Sequence, residues 1–303
     1  MIVDMPGTTT TAVHKKIEAL REQGRAITQG RVLTLVIAPD TEAALEFSIA
    51  AANAASHEHP CRIIVVMTGD SDAADTRLDA QVRVGGDAGT GEVVVLRLSG
   101  PLADHASSVV VPFLLPDTPV VAWWPEAAPP VPAEDPLGKL AIRRISDATN
   151  CADPLASIKS RFPGYTPGDT DLSWSRITYW RALLTSALDQ APFEPITSAL
   201  VSGLKDEPAL DILAGWLASR IDGPVQRGVG ELKAELVREG ETVTLSRPQH
   251  GLTATLSRTA KSDVLVPLAR RETRECLAED MRRLDPDEIY FAALEGIGRV
   301  EYL

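Results

Sequence analysis

The residues best suited by type to hold a phosphate are the glycines of GGDAGTG, 85–91. A phosphate loop needs a lysine and a following helix whose N-terminal N–H groups point at the anion. Here Glu92 stands where the lysine is needed and the strand-like run EVVVLRL follows, so the segment reads as a hairpin connection. His57, His59 and Cys61 alternate in HEHPC, and three nitrogen and sulfur donors on one side of an extended segment make a partial zinc set. No fourth ligand is evident, and Pro60 leads into an apolar run, so a corner between helix and strand is expected there and no metal. No G-x-G-x-x-G opens a helix, and G-x-S-x-G, H-E-x-x-H and C-x-x-C are absent. Single carboxylates abound, but spacing alone pairs none of them for acid/base work. Neither a catalytic residue nor a cofactor is expected.

Tryptophan and arginine supply the positive signal. Trp123, Trp124, Trp174, Trp180 and Trp216 are large anchors in a chain that is only 5% aromatic. Trp180 shares a helical face with Ile177, Leu184 and Leu188, which is core spacing. Trp123 and Trp124 are adjacent on a strand-like segment, and neighbouring strand side chains point to opposite faces, so the two cannot enter one core. Arg176 and Arg181 stand close to Trp174 and Trp180, a pairing favoured where a surface must desolvate and remain selective. Trp123, Trp124, Trp174, Arg176 and Arg181 are therefore the candidate partner-binding residues, although a solvated helix face is the plainer reading of each arginine.

The elements that must position these residues centre on 109–132, VVVPFLLPDTPVVAWWPEAAPPVP. Proline donates no backbone hydrogen bond, so the prolines at 112, 116, 119 and 125 exclude one long helix and favour a short helix, a tight turn and a buried strand at 120–124. An extended proline-rich loop follows. Upstream, Val13, Ile17 and Leu20 mark a helix ending at Gly24; RVLTLVIA (31–38) and RIIVVM (62–67) are buried-type strands joined by an alanine-rich helix. Strand, helix and strand predict a right-handed crossover and hence parallel strands. A short strand is expected at 80–84, a second at 92–98 and a helix at 103–115.

Downstream, a connector rich in proline, glycine and aspartate precedes a helix from LSWSRITYWRALLTSAL, a strand at ITSALVSG and a helix at 207–222. Three strand-like segments near 231–238, 242–247 and 252–258 suggest antiparallel hairpins. A helix is predicted over 267–284, and Asp285-Pro286-Asp287-Glu288 opens the last one. The predicted fold class is α/β: an N-terminal mixed-sheet domain over 1–150, a connector over 151–172 and a C-terminal mixed-sheet domain over 173–303. Both halves run strand, helix, strands, helix, but too little residue similarity links them to assert a duplication.

Composition narrows the partners. A formal charge of -12 opposes binding to a phosphate backbone, so no nucleic-acid partner is expected. A mean hydropathy of -0.01 and the absence of any uninterrupted apolar run near 18 residues predict no membrane span. The start, MIVDMPGTTTT, has no export signal, and three widely spaced cysteines, Cys61, Cys151 and Cys276, suit free thiols, so a cytoplasmic location is expected.

Five blocks in order, RVLTLVIA (31–38), HPCRIIVV (59–66), VPFLLPDTPVVAWWP (111–125), LSWSRITYWRALL (172–184) and AGWLASRI (214–221), resemble the glucose-6-phosphate dehydrogenase assembly protein family, OpcA, over nearly the whole chain. The resemblance implies a non-enzymatic cytoplasmic protein that binds glucose-6-phosphate dehydrogenase and promotes its active oligomer, supporting NADPH production in the oxidative pentose phosphate pathway. It brings no catalytic residues with it. The alternative from another class is an α/β enzyme or sensor that binds a sugar phosphate or nucleotide at the strand ends. That alternative needs clustered anion-binding groups, for which the sequence offers only the scattered Arg62, Arg97, Arg143 and Arg144.

Overall fold

The structure, a computed structural model, describes residues 1–23, 32–85, 92–191 and 193–303. In chain order the elements are β1 (Ile2–Met5), α1 (Thr10–Glu22), β2 (Leu33–Ile37), α2 (Glu42–Ala55), β3 (Cys61–Thr68), β4 (Arg77–Val84), β5 (Glu92–Ser99), α3 (Ala106–Val110), β6 (Val120–Trp124), β7 (Arg143–Ser146), α4 (Pro154–Ser160) and β8 (Asp169–Asp171). There follow α5 (Leu172–Arg176), α6 (Thr178–Leu188), β9 (Ile196–Gly203), α7 (Pro208–Ala218), β10 (Val225–Val229), β11 (Lys233–Arg238), β12 (Glu241–Ser246), β13 (Thr253–Arg258), β14 (Val264–Pro267), α8 (Thr273–Arg282), α9 (Glu288–Ile297) and β15 (Val300–Tyr302). The fold is α/β with two mixed sheets, as the alternation of apolar runs predicts.

The chain forms two compact units, and neither is continuous in sequence. The first holds Met1–Asp147, Gly168–Thr170 and Thr273–Asp285; the second holds Ala148–Pro167, Asp171–Glu272 and Pro286–Leu303. A division at a single connector, as the sequence suggests, differs from this because β8 and α8 return to the first unit. Alternation within one segment says nothing about which sheet it joins.

In the first unit eight strands lie in the order β1-β4-β5-β3-β2-β6-β7-β8. β5, β3, β2, β6 and β7 are mutually parallel, and β1 and β4 extend the sheet antiparallel. β2 is buried along its whole length, so its LTLVI is apolar on both faces as a central parallel strand requires. Thr9 and Thr41 cap α1 and α2, their hydroxyl oxygens accepting from the Ala12 N–H at 3.2 Å and the Ala44 N–H at 3.1 Å. The 103–115 stretch is helical only in pieces, with α3 between two 3-10 turns, because Pro101 and Pro112 break the hydrogen-bond ladder. In the turn at 116–119, Asp117 adopts φ 55, a left-handed conformation that aspartate tolerates.

Buried charge in this unit is matched. Glu92, fully enclosed, meets Arg21 at 2.5 Å and Arg62 at 3.1 Å. Removing one partner of such a pair costs about 3–5 kcal/mol, since the other charge stays buried.

In the second unit seven strands lie in the order β14-β13-β12-β11-β9-β10-β15, antiparallel from β14 to β9 and parallel from β9 to β15. α7 is the most apolar helix against this sheet, burying Leu210, Ile212, Leu213, Ala214 and Leu217. The helix predicted over 267–284 starts later, at Thr273, because 264–267 pairs with β13 as an edge strand. The last helix is capped two residues beyond the predicted Asp285: the Asp287 carboxylate accepts the Ile289 N–H at 2.9 Å and the Tyr290 N–H at 3.0 Å.

Candidate functional site

In the first unit the chain leaves β2 toward β3 and β5 on one side, then returns to lay β6 against the other edge of β2. Open α/β sheets bind ligands at such a reversal, outside the carboxyl ends of the strands. A cavity of about 430 Å³ lies there, lined by Ala38 and Asp40 after β2, Val66 and Thr68 of β3, Trp124 of β6, and Asp104 and Asp135. Among the described residues its charged lining is wholly acidic, since Asp40, Asp104 and Asp135 face it and no arginine or lysine does. Burial first, and Glu126 second, push the Asp40 carboxyl above its ordinary range.

The start of α2 is where a phosphate would be received in such a sheet. Glu126 already reaches it. One carboxylate oxygen accepts the Asp40 and Thr41 N–H groups, both at 3.0 Å, and the Thr41 hydroxyl donates to the same carboxylate at 3.2 Å. The glycines that let a pyrophosphate approach a backbone are replaced by Ala38-Pro39-Asp40-Thr41. An anion entering this crevice meets carboxylates at the mouth and at the helix start. Neither Asp40 nor Glu126 is singled out by sequence, because they lie 86 residues apart and only the β2–β6 pairing brings them together.

The tryptophan pair sits on β6 as the strand period requires. Trp124, 5% exposed, belongs to the core of the first unit and lines the crevice; Trp123, on the opposite face, is 0% exposed. In the second unit Trp174 on α5 is also buried. Its indole N–H donates to the Asp287 carboxylate at 2.8 Å, its ring centre lies 5.9 Å from that of Tyr290, and the Arg181 guanidinium stacks 3.4 Å from the ring centre. Arg176 and Arg181 are half-buried; Arg176 donates to the Thr149 hydroxyl and Arg181 to the Thr178 hydroxyl, each at 3.1 Å. Tyr179, exposed between them, lies beneath the Arg271 guanidinium at 4.9 Å. The five sequence-selected residues thus form two groups: Trp123 and Trp124 in the first unit, and Trp174, Arg176 and Arg181 in the second.

The scattered arginines are used internally. Arg62 meets Glu92, Arg97 meets Glu42, Arg143 meets Asp280 and Arg144 meets Asp169. In HEHPC, His57 lies in the turn after α2 and Cys61 begins β3; among the described residues no group of three histidine, cysteine, aspartate or glutamate side chains is placed to hold a metal. Of the glycine-rich loop only Gly85 lies within the described residues. Cys61 and Cys276 are buried and Cys151 is half-buried, and among the described residues no disulfide joins them. Among the described residues, no helix is long and apolar enough to cross a membrane.

Residues 52–162 match the family model described as the glucose-6-phosphate dehydrogenase subunit N-terminal domain, and residues 167–294 match the model of the corresponding C-terminal domain. No curated protein matches the chain significantly. Two solved structures align over most of their length. An NAD binding oxidoreductase from Klebsiella pneumoniae is 8% identical with a TM-score of 0.46, covering 89% of this chain and 96% of its own. An aldose-aldose oxidoreductase from Caulobacter crescentus complexed with glycerol is 10% identical with a TM-score of 0.44, covering 88% and 97%. Likeness at this level does not carry the chemistry of either enzyme to this chain.

Proposed function

The chain belongs to the glucose-6-phosphate dehydrogenase assembly family, OpcA, and on that premise we propose that it is a non-enzymatic partner of glucose-6-phosphate dehydrogenase that promotes the enzyme's active oligomer and so supports NADPH production. The observation that carries this reading is the pair of family models, which together span most of the chain in the expected order. The acidic crevice at the strand ends, with Glu126 at the start of α2, adds support for a role without nucleotide chemistry.

The mechanism is linkage. A protein that binds the active oligomer more tightly than the inactive form shifts the population by the ratio of its two affinities, and a tenfold ratio corresponds to about 1.4 kcal/mol. Contact is assigned to two places: the proline-stiffened loop that follows Trp123 and Trp124, and the α5–α6 face carrying Arg176, Tyr179 and Arg181. A stiff loop loses little conformational entropy on docking. Trp123, Trp124 and Trp174 act from beneath, holding these surfaces in place.

Mixing the purified protein with purified dehydrogenase, while following rate against glucose 6-phosphate and oligomer size, tests the reading. Both are expected to rise, and Arg176→Ala and Arg181→Ala to weaken the effect. Unchanged rate and size with wild-type protein would overturn the function; full activation by both folded variants would overturn the contact assignment alone. Saturable binding of NADP⁺ by the isolated protein would instead favour the enzyme or sensor alternative.

A further inference from the structure

The second unit contains a small cavity of different character. It measures about 40 Å³ and is lined by Arg176, Arg247, Arg270 and Arg271, with Trp180 and Glu207. A water needs roughly 10–15 Å³ of such space, so the cavity has room for one oxyanion head and not for a sugar ring or a base. Five separate segments build it: α5 and α6, the start of α7, Leu232 just before β11, the chain leaving β12 and the chain leaving β14. Arg176, Arg247, Arg270, Arg271 and Glu207 are the charged residues of the lining.

Arg247 is the most enclosed arginine whose pairing bears on this cavity. It is 7% exposed, yet among the described residues no carboxylate lies within ion-pair distance of it. Arg62, Arg83, Arg143, Arg144, Arg227, Arg238 and Arg258 are buried to the same degree, and each reaches an aspartate or glutamate. The Arg247 side chain has one hydrogen bond, Nη1 donating to the Leu268 carbonyl at 2.7 Å, and its buried Nε finds no acceptor. Burying a charge without a counterion is costly, and the guanidinium fork is shaped for a bidentate oxyanion. Glu207 offsets the Arg247 charge in part from a distance, but its ion pair is with Arg270, at 3.3 Å. Burial first, and the nearby Arg270 second, bring the Arg247 guanidinium below its ordinary pKa, a penalty that an anion in the cavity relieves. The start of the 11-residue helix α7, at Ala209 and Leu210, also lines the cavity and adds its positive end.

We propose that this cavity is an oxyanion subsite that binds the phosphoryl group of a small phosphate monoester, with Arg247 as the buried anchor and Arg176, Arg270 and Arg271 around it. A phosphoryl group offers three oxygens to the fork of Arg247 and to the nearby Arg270, where a carboxylate offers two. The rest of the ligand stays outside, against Gln249 and the exposed Arg270. This site is distinct from the acidic crevice of the first unit and does not depend on the dehydrogenase reading, so its test uses the isolated chain.

Thermal unfolding and isothermal titration are run on the full chain with inorganic phosphate, glucose 6-phosphate, glucose and citrate, at ionic strength fixed with chloride. Inorganic phosphate and glucose 6-phosphate are expected to raise the melting temperature saturably, and glucose to leave it unchanged. Binding should weaken at least about tenfold in Arg247→Met and in Arg270→Gln, and remain in Arg97→Gln, whose side chain pairs elsewhere. Arg270 is half-exposed, so its variant decides the matter if Arg247→Met does not fold. A response that chloride reproduces, or affinity unchanged in the folded arginine variants, overturns the site. Tighter binding of citrate than of either phosphate overturns the phosphoryl assignment.

Discussion

The guanidinium of Arg181 stacks 3.4 Å from the centre of the Trp174 ring, while the indole N–H of Trp174 is held by Asp287 at 2.8 Å. The same carboxylate caps α9. Trp174 is thus clamped from its edge by the start of one helix and from its face by the next turn of another, which makes it a structural joint beneath Arg176 and Tyr179. A partly buried cation over tryptophan contributes roughly 1–2 kcal/mol. Arg181→Ala is expected to lower the unfolding free energy by about that amount in urea titrations, with Arg181→Lys recovering only part, because an ammonium does not stack as a planar guanidinium does.

Two buried carboxylates of the second unit should respond to pH in opposite directions. Glu241 accepts from Arg258 at 2.7 Å and from Arg238 at 2.8 Å, and these bonds, Arg258 first, bring its pKa from 4.5 to about 2. A depressed folded pKa means stability fully present above pH 4.5 and lost as pH falls through about 2. Asp211 is the reverse: burial raises it from 3.8 to about 6 despite Arg227 at 3.2 Å. Its contribution is greatest below pH 3.8 and declines as pH rises through about 6. Glu241→Gln should cost about 3 kcal/mol at neutral pH by leaving two arginines without a counterion. The gap between wild type and Glu241→Gln should close only toward pH 2, whereas the gap between wild type and Asp211→Asn should fall between pH 4 and 6. Unfolding free energies measured across pH 2–8 check both.

Much of the fold is legible in the sequence because local pattern suffices for it. RIIVVM and EVVVLRL are apolar on both faces and lie in the parallel core; KAELVR and ETVTLS alternate and form an antiparallel hairpin. The assignment of α8 and β8 to the first unit is not legible, since α8 depends on partners more than 100 residues away, such as Asp280 for Arg143 at 2.7 Å, and β8 on β7, 24 residues back from Thr170 to Ser146. The same limit governs the site. The tryptophans stand out by type, but whether they are anchors or core is set by burial. Asp40 with Glu126, and Arg247 with Arg270, are unremarkable singly and gain meaning only where distant segments meet.

The helices α7 and α9 meet through glycine. A Cβ on Gly215 would stand 2.3 Å from the Ala293 carbonyl oxygen, and one on Gly296 would stand 2.0 Å from the Gly215 carbonyl oxygen. Both obstacles are backbone atoms, which cannot rotate away as a side chain does. On an isolated helix, alanine in place of glycine is favourable by about 1 kcal/mol, so propensity and packing oppose each other here. Forcing a methyl into a packed contact costs roughly 1–3 kcal/mol, and with a displaced helix the upper end applies. Gly215→Ala and Gly296→Ala are each expected to be destabilised by about 2 kcal/mol in denaturant titrations, despite the gain in propensity. The double variant should cost less than the sum, because one methyl already separates the helices and makes room for the second. A stabilised single variant, or full additivity, would mean that the two helices do not meet at these glycines.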